Sequence, residues 1–309
     1  MPGSHRSLRR RIAHALGAAV TLAVTVAATA QMDFSKVEVR AQQLGETTWM
    51  LSGAGGNVGL SVGPDAVFII DNDFTQVTPK IRDAIAKITP KPVGFVLNTH
   101  YHWDHSGGNE LFGSAGALIV AHDNVRRRMS SDQLVNFVGS AMQQKASPKA
   151  ALPVVTVPGS VRLHINGDEV HAFHVPAAHT DGDLIVHFVK SNVVHMGDTY
   201  FNGMYPFIDG SSGGSADGMI AAADRVLALA DARTKIIPGH GPLAGKADLQ
   251  GYRDMLATVT RRVKDLRRAG KSDAEIREAK PAAEFDARLG GGFIKADVFV
   301  QMMLGVVAK

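Results

Sequence analysis

The sequence predicts a layered α/β fold. Two observations carry the prediction: short β-branched or apolar runs alternate with segments of helical spacing, and their order is strands, helix, strand, helix, more strands, helix, strand and helix. That order suits mixed sheets packed between helices. Titratable residues also gather just past the ends of apparent strands, where α/β folds place their sites.

Residues 37–40, 47–52, 58–62 and 66–71 are strand-like, and the turns GAGGN and VGPD between them make successive hairpins. GAGGN itself reads either as a mobile flap or as a plain hairpin turn. The period then changes. Ile81, Ile85 and Ile88 share one face of a helix over 78–88, with Thr78 as its cap, Pro79 in the first turn and Pro90 beyond the end. A strand over 93–97 follows, then another over 117–120, and Asp123 caps a helix over NVRRRM. Residues 131–150 are mixed and polar, and read as a helix and loop over one face. Strand signals return in VVTV, VRLHI, EVHAFHV, LIVHFV and NVVHM; a helix over 217–230 and the strand TKIIP come next. The end is helical, over 248–269, 272–278 and 296–307. No repeat, low-complexity tract or Pro/Ser linker interrupts residues 31–309, which are expected to form a single domain with a helical C-terminal end.

The first thirty residues are of another kind. Arg6, Arg9, Arg10 and Arg11 form a positive head, 12–28 is apolar and alanine-rich, and Ala28-Thr29-Ala30 supplies a small-x-small cleavage signal. The expectation is a bacterial export signal cut after Ala30, giving a periplasmic or secreted protein with no membrane attachment. An uncleaved anchor is the other reading. Those four arginines account for the whole excess of 33 basic over 29 acidic side chains, so the remainder is neutral. Nucleic acid is therefore not an expected partner, and a small molecule is. No motif fixes an oligomeric state. The chain has no cysteine, which excludes disulfides and thiolate ligands, so any metal must be held by nitrogen and oxygen.

The run NTHYHWDHSGG, 98–108, puts His100, His102, Asp104 and His105 into six consecutive positions directly after an apolar strand. Leaving a strand, residues two apart point the same way, so His100 and His102 converge on one point. Asp104 and His105, past a turn loosened by Gly107 and Gly108, face a second. Four such groups in one loop repel or desolvate one another unless something positive is bound. One loop cannot fill a coordination shell. Three later loops each offer one more ligand beside a glycine or alanine: His179, Asp198 and His240. Together the seven suffice for two cations sharing one carboxylate. His164, His171, His174, His187 and His195 lie within strands and are expected to be structural, while His122 is either structural or a support for a ligand. The charged run RRVKDLRR reads as a solvated helix face.

The HxHxDH motif at 100–105, followed by a lone His, a Gly-Asp and a Gly-His after successive strands, resembles the metallo-β-lactamase fold hydrolase superfamily over roughly residues 37–242. The resemblance implies a four-layered αββα sandwich, two sheets face to face with helices outside and the site at one edge. It implies that His100, His102 and His179 hold one zinc, that Asp104, His105 and His240 hold the other, and that Asp198 bridges them. Iron or mixed metal would suit the same donors. Two such ions imply a bridging hydroxide as nucleophile, because coordination brings the pKa of water to about 7. Asp104, the catalytic candidate, would be a ligand that also orients the nucleophile or shuttles its proton. The reaction implied is hydrolysis of an amide, ester or thioester without a covalent enzyme intermediate.

Departures from the family pattern shape the substrate expectation. The cysteine ligand of the most familiar lactamase subclass is absent, and Asp198 fills its place, as in glyoxalase II, lactonases and related esterases. IIDND stands where the family usually has Asp, a small residue and Gly; Asp71 is expected to be structural support, and Asn72 has no evident role. Export favours diffusible cyclic amides or esters over intracellular glutathione thioesters. The leading expectation is therefore a periplasmic zinc-dependent hydrolase of β-lactam-like substrates. A glyoxalase II-like thioesterase or lactonase is one alternative, and a mononuclear iron persulfide dioxygenase another. Tyr200, Asn202 and Trp103 are the candidate substrate contacts.

Overall fold

The computed structural model describes residues 32–137 and 140–308. The leader lies outside them, and the export expectation with it. The described residues from Phe34 onward form one compact unit.

Along the chain, β1 (Arg40–Gln43), β2 (Thr48–Ser52), β3 (Val58–Val62) and β4 (Val67–Ile70) form an antiparallel meander. Helix α1 (Thr78–Ala86) crosses to β5 (Val93–Leu97), parallel to β4. Short helices α2 (Trp103–Ser106) and α3 (Asn109–Ser114) lead to β6 (Leu118–His122), parallel to β5. After α4 (Asp123–Met129) comes a separate hairpin of β7 (Gln133–Phe137) and β8 (Ser140–Gln144), and then β9 (Val155–Val157), the edge of a seven-stranded sheet. The second sheet has five strands, β10 (Ser160–Ile165), β11 (Asp168–His174), β12 (Leu184–Phe188), β13 (Val193–His195) and β14 (Lys235–Ile237), with α5 (Ala216–Leu229) crossing over before β14. Helices α6 (Lys246–Arg268), α7 (Asp273–Glu278), α8 (Ala283–Leu289) and α9 (Ala296–Val306) follow.

The two-residue period of the strands builds the layers. On β4, Val67 and Ile69 pack with Ile81 and Ile85 of α1, while Phe68 and Ile70 face the other sheet and meet Leu184, Val186 and Phe188. The Phe68 and Phe188 rings lie 6.3 Å apart. On β12 the alternation sends Ile185 the opposite way, into a cluster with Met219, Ala223 and Val226 of α5. The result is helix, sheet, sheet, helix: the αββα sandwich. Strands covered on both faces read as nearly unbroken apolar runs, which is why VFII and, apart from half-buried His187, LIVHF stand out in the sequence.

Several local expectations are corrected. The first strand starts at Arg40 rather than 37, as a wholly exposed edge. Among the described residues of 131–150 there is no α-helix; Gln133–Phe137 pairs with Ser140–Gln144, with Val135 turned toward the body and its neighbours Leu134 and Asn136 exposed. Thr78 does not cap α1: Val77 is the N-cap, and the Thr78 hydroxyl donates to Phe74 O at 2.9 Å. Helices α2, α3 and α8 are too short to show a period. Part of RRVKDLRR holds the fold together instead of facing water. Lys264 pairs with Asp217 of α5 at 2.9 Å, and Arg267 donates to Val307 O at 2.8 Å, beyond the end of α9. Among the described residues no helix is long and apolar enough to cross a membrane.

Phe188→Ala removes a ring that joins the two sheets. It is expected to lower the free energy of unfolding by about 3–5 kcal/mol, read by chemical denaturation. A loss below about 1 kcal/mol would mean that the sheets do not depend on this contact.

Candidate metal centre

The loops leaving β5, β11, β13 and β14 meet, and the seven side chains meet with them. His102 is the extended N-cap of α2, a single helical turn that carries Asp104 and His105. Ligand atoms of His100, His102 and His179 lie within 4.8 Å of one another, and so do those of Asp104, His105 and His240. Asp198 stands between the two groups and is split across them. Its Oδ2 is 3.9 Å from His100 Nε2 and 3.6 Å from His179 Nε2, while its Oδ1 is 3.0 Å from His105 Nε2 and 3.4 Å from His240 Nε2. Each oxygen of the Asp198 carboxylate thus faces one of the two groups.

Four of the five histidines are held by the ring nitrogen that points away from the centre. His100 Nδ1 is 3.0 Å from Thr99 Oγ1, and His179 Nδ1 is 2.9 Å from Phe207 O. His105 Nδ1 is 2.8 Å from Asp71 Oδ2, and His102 Nε2 is 3.0 Å from Asp209 Oδ2. Such contacts fix the tautomer and aim the other nitrogen inward. Hence His102 presents Nδ1, 3.0 Å from His179 Nε2, whereas His100, His105 and His179 present Nε2. The ring of His240 is set by stacking on Phe201, 5.2 Å between centroids.

The electrostatics divide the site. Burial holds His100 well below the ordinary imidazole range, with His105 adding to the effect, and burial brings His179 down to about 4. These rings are neutral donors. Burial also disfavours charge on His240, but Asp198 and Asp104 outweigh it and lift the ring to about 9; His105 is raised in the same way by Asp198, Asp104 and Asp71. The outer half of the site therefore gathers positive charge around its carboxylates. Among the described residues, His100 Nε2 and Asp198 Oδ1 are buried without a hydrogen-bond partner, although Asp198 Oδ1 is only 3.0 Å from His105 Nε2. Leaving such groups unsatisfied costs about 1–3 kcal/mol each. An all-nitrogen-and-oxygen donor set with neutral imidazoles, a split carboxylate and orphaned atoms aimed inward fits divalent cations.

Not every expected residue reaches the centre. Tyr200 is corrected: it is fully buried, packs 4.9 Å from Tyr252 and has no surface to offer a substrate. Asn202 is half-buried and occupied, its Nδ2 donating to Pro242 O at 3.0 Å. Trp103 is half-buried, packed against the core, and its ring lies 6.0 Å from His102. His122 supports no ligand; its Nδ1 accepts from Asn124 N at 3.1 Å and its ring stacks on His174. His195 is buried and bonded to Asn57 O.

The GAGGN turn is pinned to the site. Gly56 N donates to Asp104 O at 2.9 Å, and a Cβ at Gly56 would come within 2.0 Å of the His105 ring, so only glycine permits this approach. Asn57 Nδ2 donates to Pro238 O and Gly241 O, tying the turn to the His240 loop. Asn72, unexplained in the sequence, accepts from Gly108 N and donates to Asn109, both at 2.6 Å, and so fixes the chain after the cluster. Asp71 sits at φ 61° and binds Thr99 N and Oγ1 as well as His105. Sequence reasoning missed Asp209, the partner of His102, which also accepts from Tyr101 and Ser212. A signal was available: Asp209 follows Phe207-Ile208 as Asp71 follows Ile69-Ile70, an acid directly after an apolar run.

The family model described as "Metallo-beta-lactamase superfamily" matches residues 52–240, more than half of the chain. The chain belongs to the metallo-beta-lactamase superfamily. Within it, the hydroxyacylglutathione hydrolase of Rhodospirillum rubrum is 28% identical over 146 residues, 47% of this chain and 47% of that protein. A probable hydroxyacylglutathione hydrolase of Schizosaccharomyces pombe is 29% identical over 201 residues, 62% of this chain and 66% of that one. The chain spans about half the length of the first of these curated relatives. A solved metallo-beta-lactamase from Pontibacter korlensis shares the fold, with a TM-score of 0.60 at 14% identity over 71% of this chain and 99% of that one. Superfamily membership agrees with the two groups of His and Asp donors gathered here.

Asp209→Asn removes the carboxylate that aims His102. Metal affinity, measured by competition with a chelator, is expected to fall about 10–100-fold with the circular dichroism spectrum unchanged. Unaltered affinity would show that His102 needs no such support.

Proposed function

We propose that the seven side chains hold two divalent cations, zinc foremost, and that the chain hydrolyses an activated acyl bond, with thioesters as the first substrate class. The division of Asp198 between the two groups of ligands carries the two-cation reading. The presence of both groups supports it over a single iron. The curated relatives support thioester hydrolysis better than the β-lactam reading that export suggested, and the carboxylate at position 198 agrees with that order.

When bound, the cations supply Lewis acidity for the acyl oxygen and lower the pKa of water. The chain's own part is placement. His100, His102 and His179 form the buried inner wall, while Asp104 and His240 stand on the side open to solvent, their side chains 20% and 15% exposed. Asp104 Oδ2, 3.3 Å from His240 Nε2, accepts a hydrogen bond from the attacking water and orients it. Water adds to the acyl carbon, the C–S bond breaks, and the thiol leaves with the proton that water gives up. The arginine-headed apolar leader supports an exported protein, so diffusible esters and lactones belong in the same test.

The zinc-loaded protein is assayed with a hydroxyacylglutathione thioester, a β-lactam and a homoserine lactone. The thioester is expected to show the highest kcat/KM, chelation to abolish it and zinc to restore it, with Asp104→Ala slower by about 10²–10⁴-fold. Turnover of all three no faster than in Asp104→Ala contradicts the hydrolase reading; a β-lactam preferred over the thioester contradicts the substrate order.

A further inference from the structure

We propose that Phe137, Phe207 and Phe293 form an apolar subsite at the mouth of the centre, which selects substrates whose acyl group carries a hydrocarbon chain or ring. This rests on the hydrolase reading and names its substrate class. The three residues come from the β7–β8 hairpin, the loop after Asp198 and the glycine-rich segment before α9. Phe207 lies 6.1 Å from the His102 ring and 5.8 Å from that of His179. Phe293 lies 5.7 Å from the His240 ring. Phe137 bridges them, 4.8 Å from Phe207 and 6.1 Å from Phe293. An aromatic row thus runs from the inner ligands to the outer ones.

Phe207 is buried in the core and Phe137 half-buried against it, so exposure sets apart only the outer end of the row, at Phe293. The inner histidines are buried, and solvent reaches the centre on the Asp104–His240 side. Phe293 stands on that side with 47% of its surface exposed. An apolar ring left in water beside convergent polar groups is the composition of a ligand site. The row is also held in place. Gly292 packs so closely on Met204 that a Cβ would come within 2.7 Å of it, and Asn136 N donates to Ser211 Oγ at 3.3 Å. Three phenyl rings offer hydrocarbon and π-faces but no cation for the carboxylates of a glutathione peptide, which favours the acyl side of the substrate as their occupant.

The test is calorimetric binding of acetate, butanoate, hexanoate and phenylacetate to the zinc-loaded full-length protein. The Kd is expected to fall about threefold to fourfold per added methylene, and Phe293→Ala and Phe137→Ala to flatten that trend, with melting temperatures confirming that both variants fold. No trend in the unaltered protein, or an equal trend in both variants, overturns the subsite. Hydrolysis of the matching thioesters is measured alongside. A trend in binding without turnover supports the subsite and overturns thioesters as the substrate class; turnover without a trend does the reverse.

Discussion

Five imidazoles and two carboxylates share one largely buried space, and the rest of the structure is arranged around the electrostatic demand this creates. Protons alone meet the demand poorly. His100 and His179 shed theirs because burial disfavours charge, while His105 and His240 keep theirs because Asp104 and Asp198 lie beside them. A pair of dications would serve both halves at once, accepting the neutral nitrogens of one and balancing the carboxylates of the other. Asp198 is the point where the two halves join.

The sandwich serves this by bringing loops of both sheets to one edge and then fixing them from behind. Asp71 leaves β4 in a left-handed backbone conformation, which costs a non-glycine residue about 1–3 kcal/mol unless its surroundings hold it. Here they do: three hydrogen bonds converge on its carboxylate, one of them from the His105 ring. Asp209 does the same for His102 from the other side of the centre. One histidine from each group, His105 and His102, is thus oriented by a carboxylate that itself contacts no ligand atom of the centre. The close approach of Gly56 to the His105 ring makes the GAGGN turn part of the wall of the site.

The layering and the seven central side chains were legible in the sequence, because both depend on short-range pattern. Strand runs such as VFII are apolar throughout, LIVHF all but its half-buried His187, and the candidate ligands fall shortly after strands, where direction is set by the two-residue period. What pattern could not reveal was partnership across distance. An acid after an apolar run marks Asp209 as a support, but nothing local names His102, 107 residues away, as its partner, or Asn72 as the clamp on Gly108. Tyr200 misled because an aromatic near a ligand can turn either way, and here it turns into the core against Tyr252. The β7–β8 hairpin was hidden by its polar outer positions, yet it delivers Phe137 to the mouth of the site.

The account stands or falls on whether two ions occupy this space with Asp198 between them. Anomalous diffraction from zinc-loaded crystals tests that most directly. The prediction is two peaks per chain about 3.5–4 Å apart, one within about 2.0–2.2 Å of His100 Nε2, His102 Nδ1 and His179 Nε2, the other equally close to Asp104, His105 and His240. A single peak, or a pair of ions not bridged by Asp198, would contradict it.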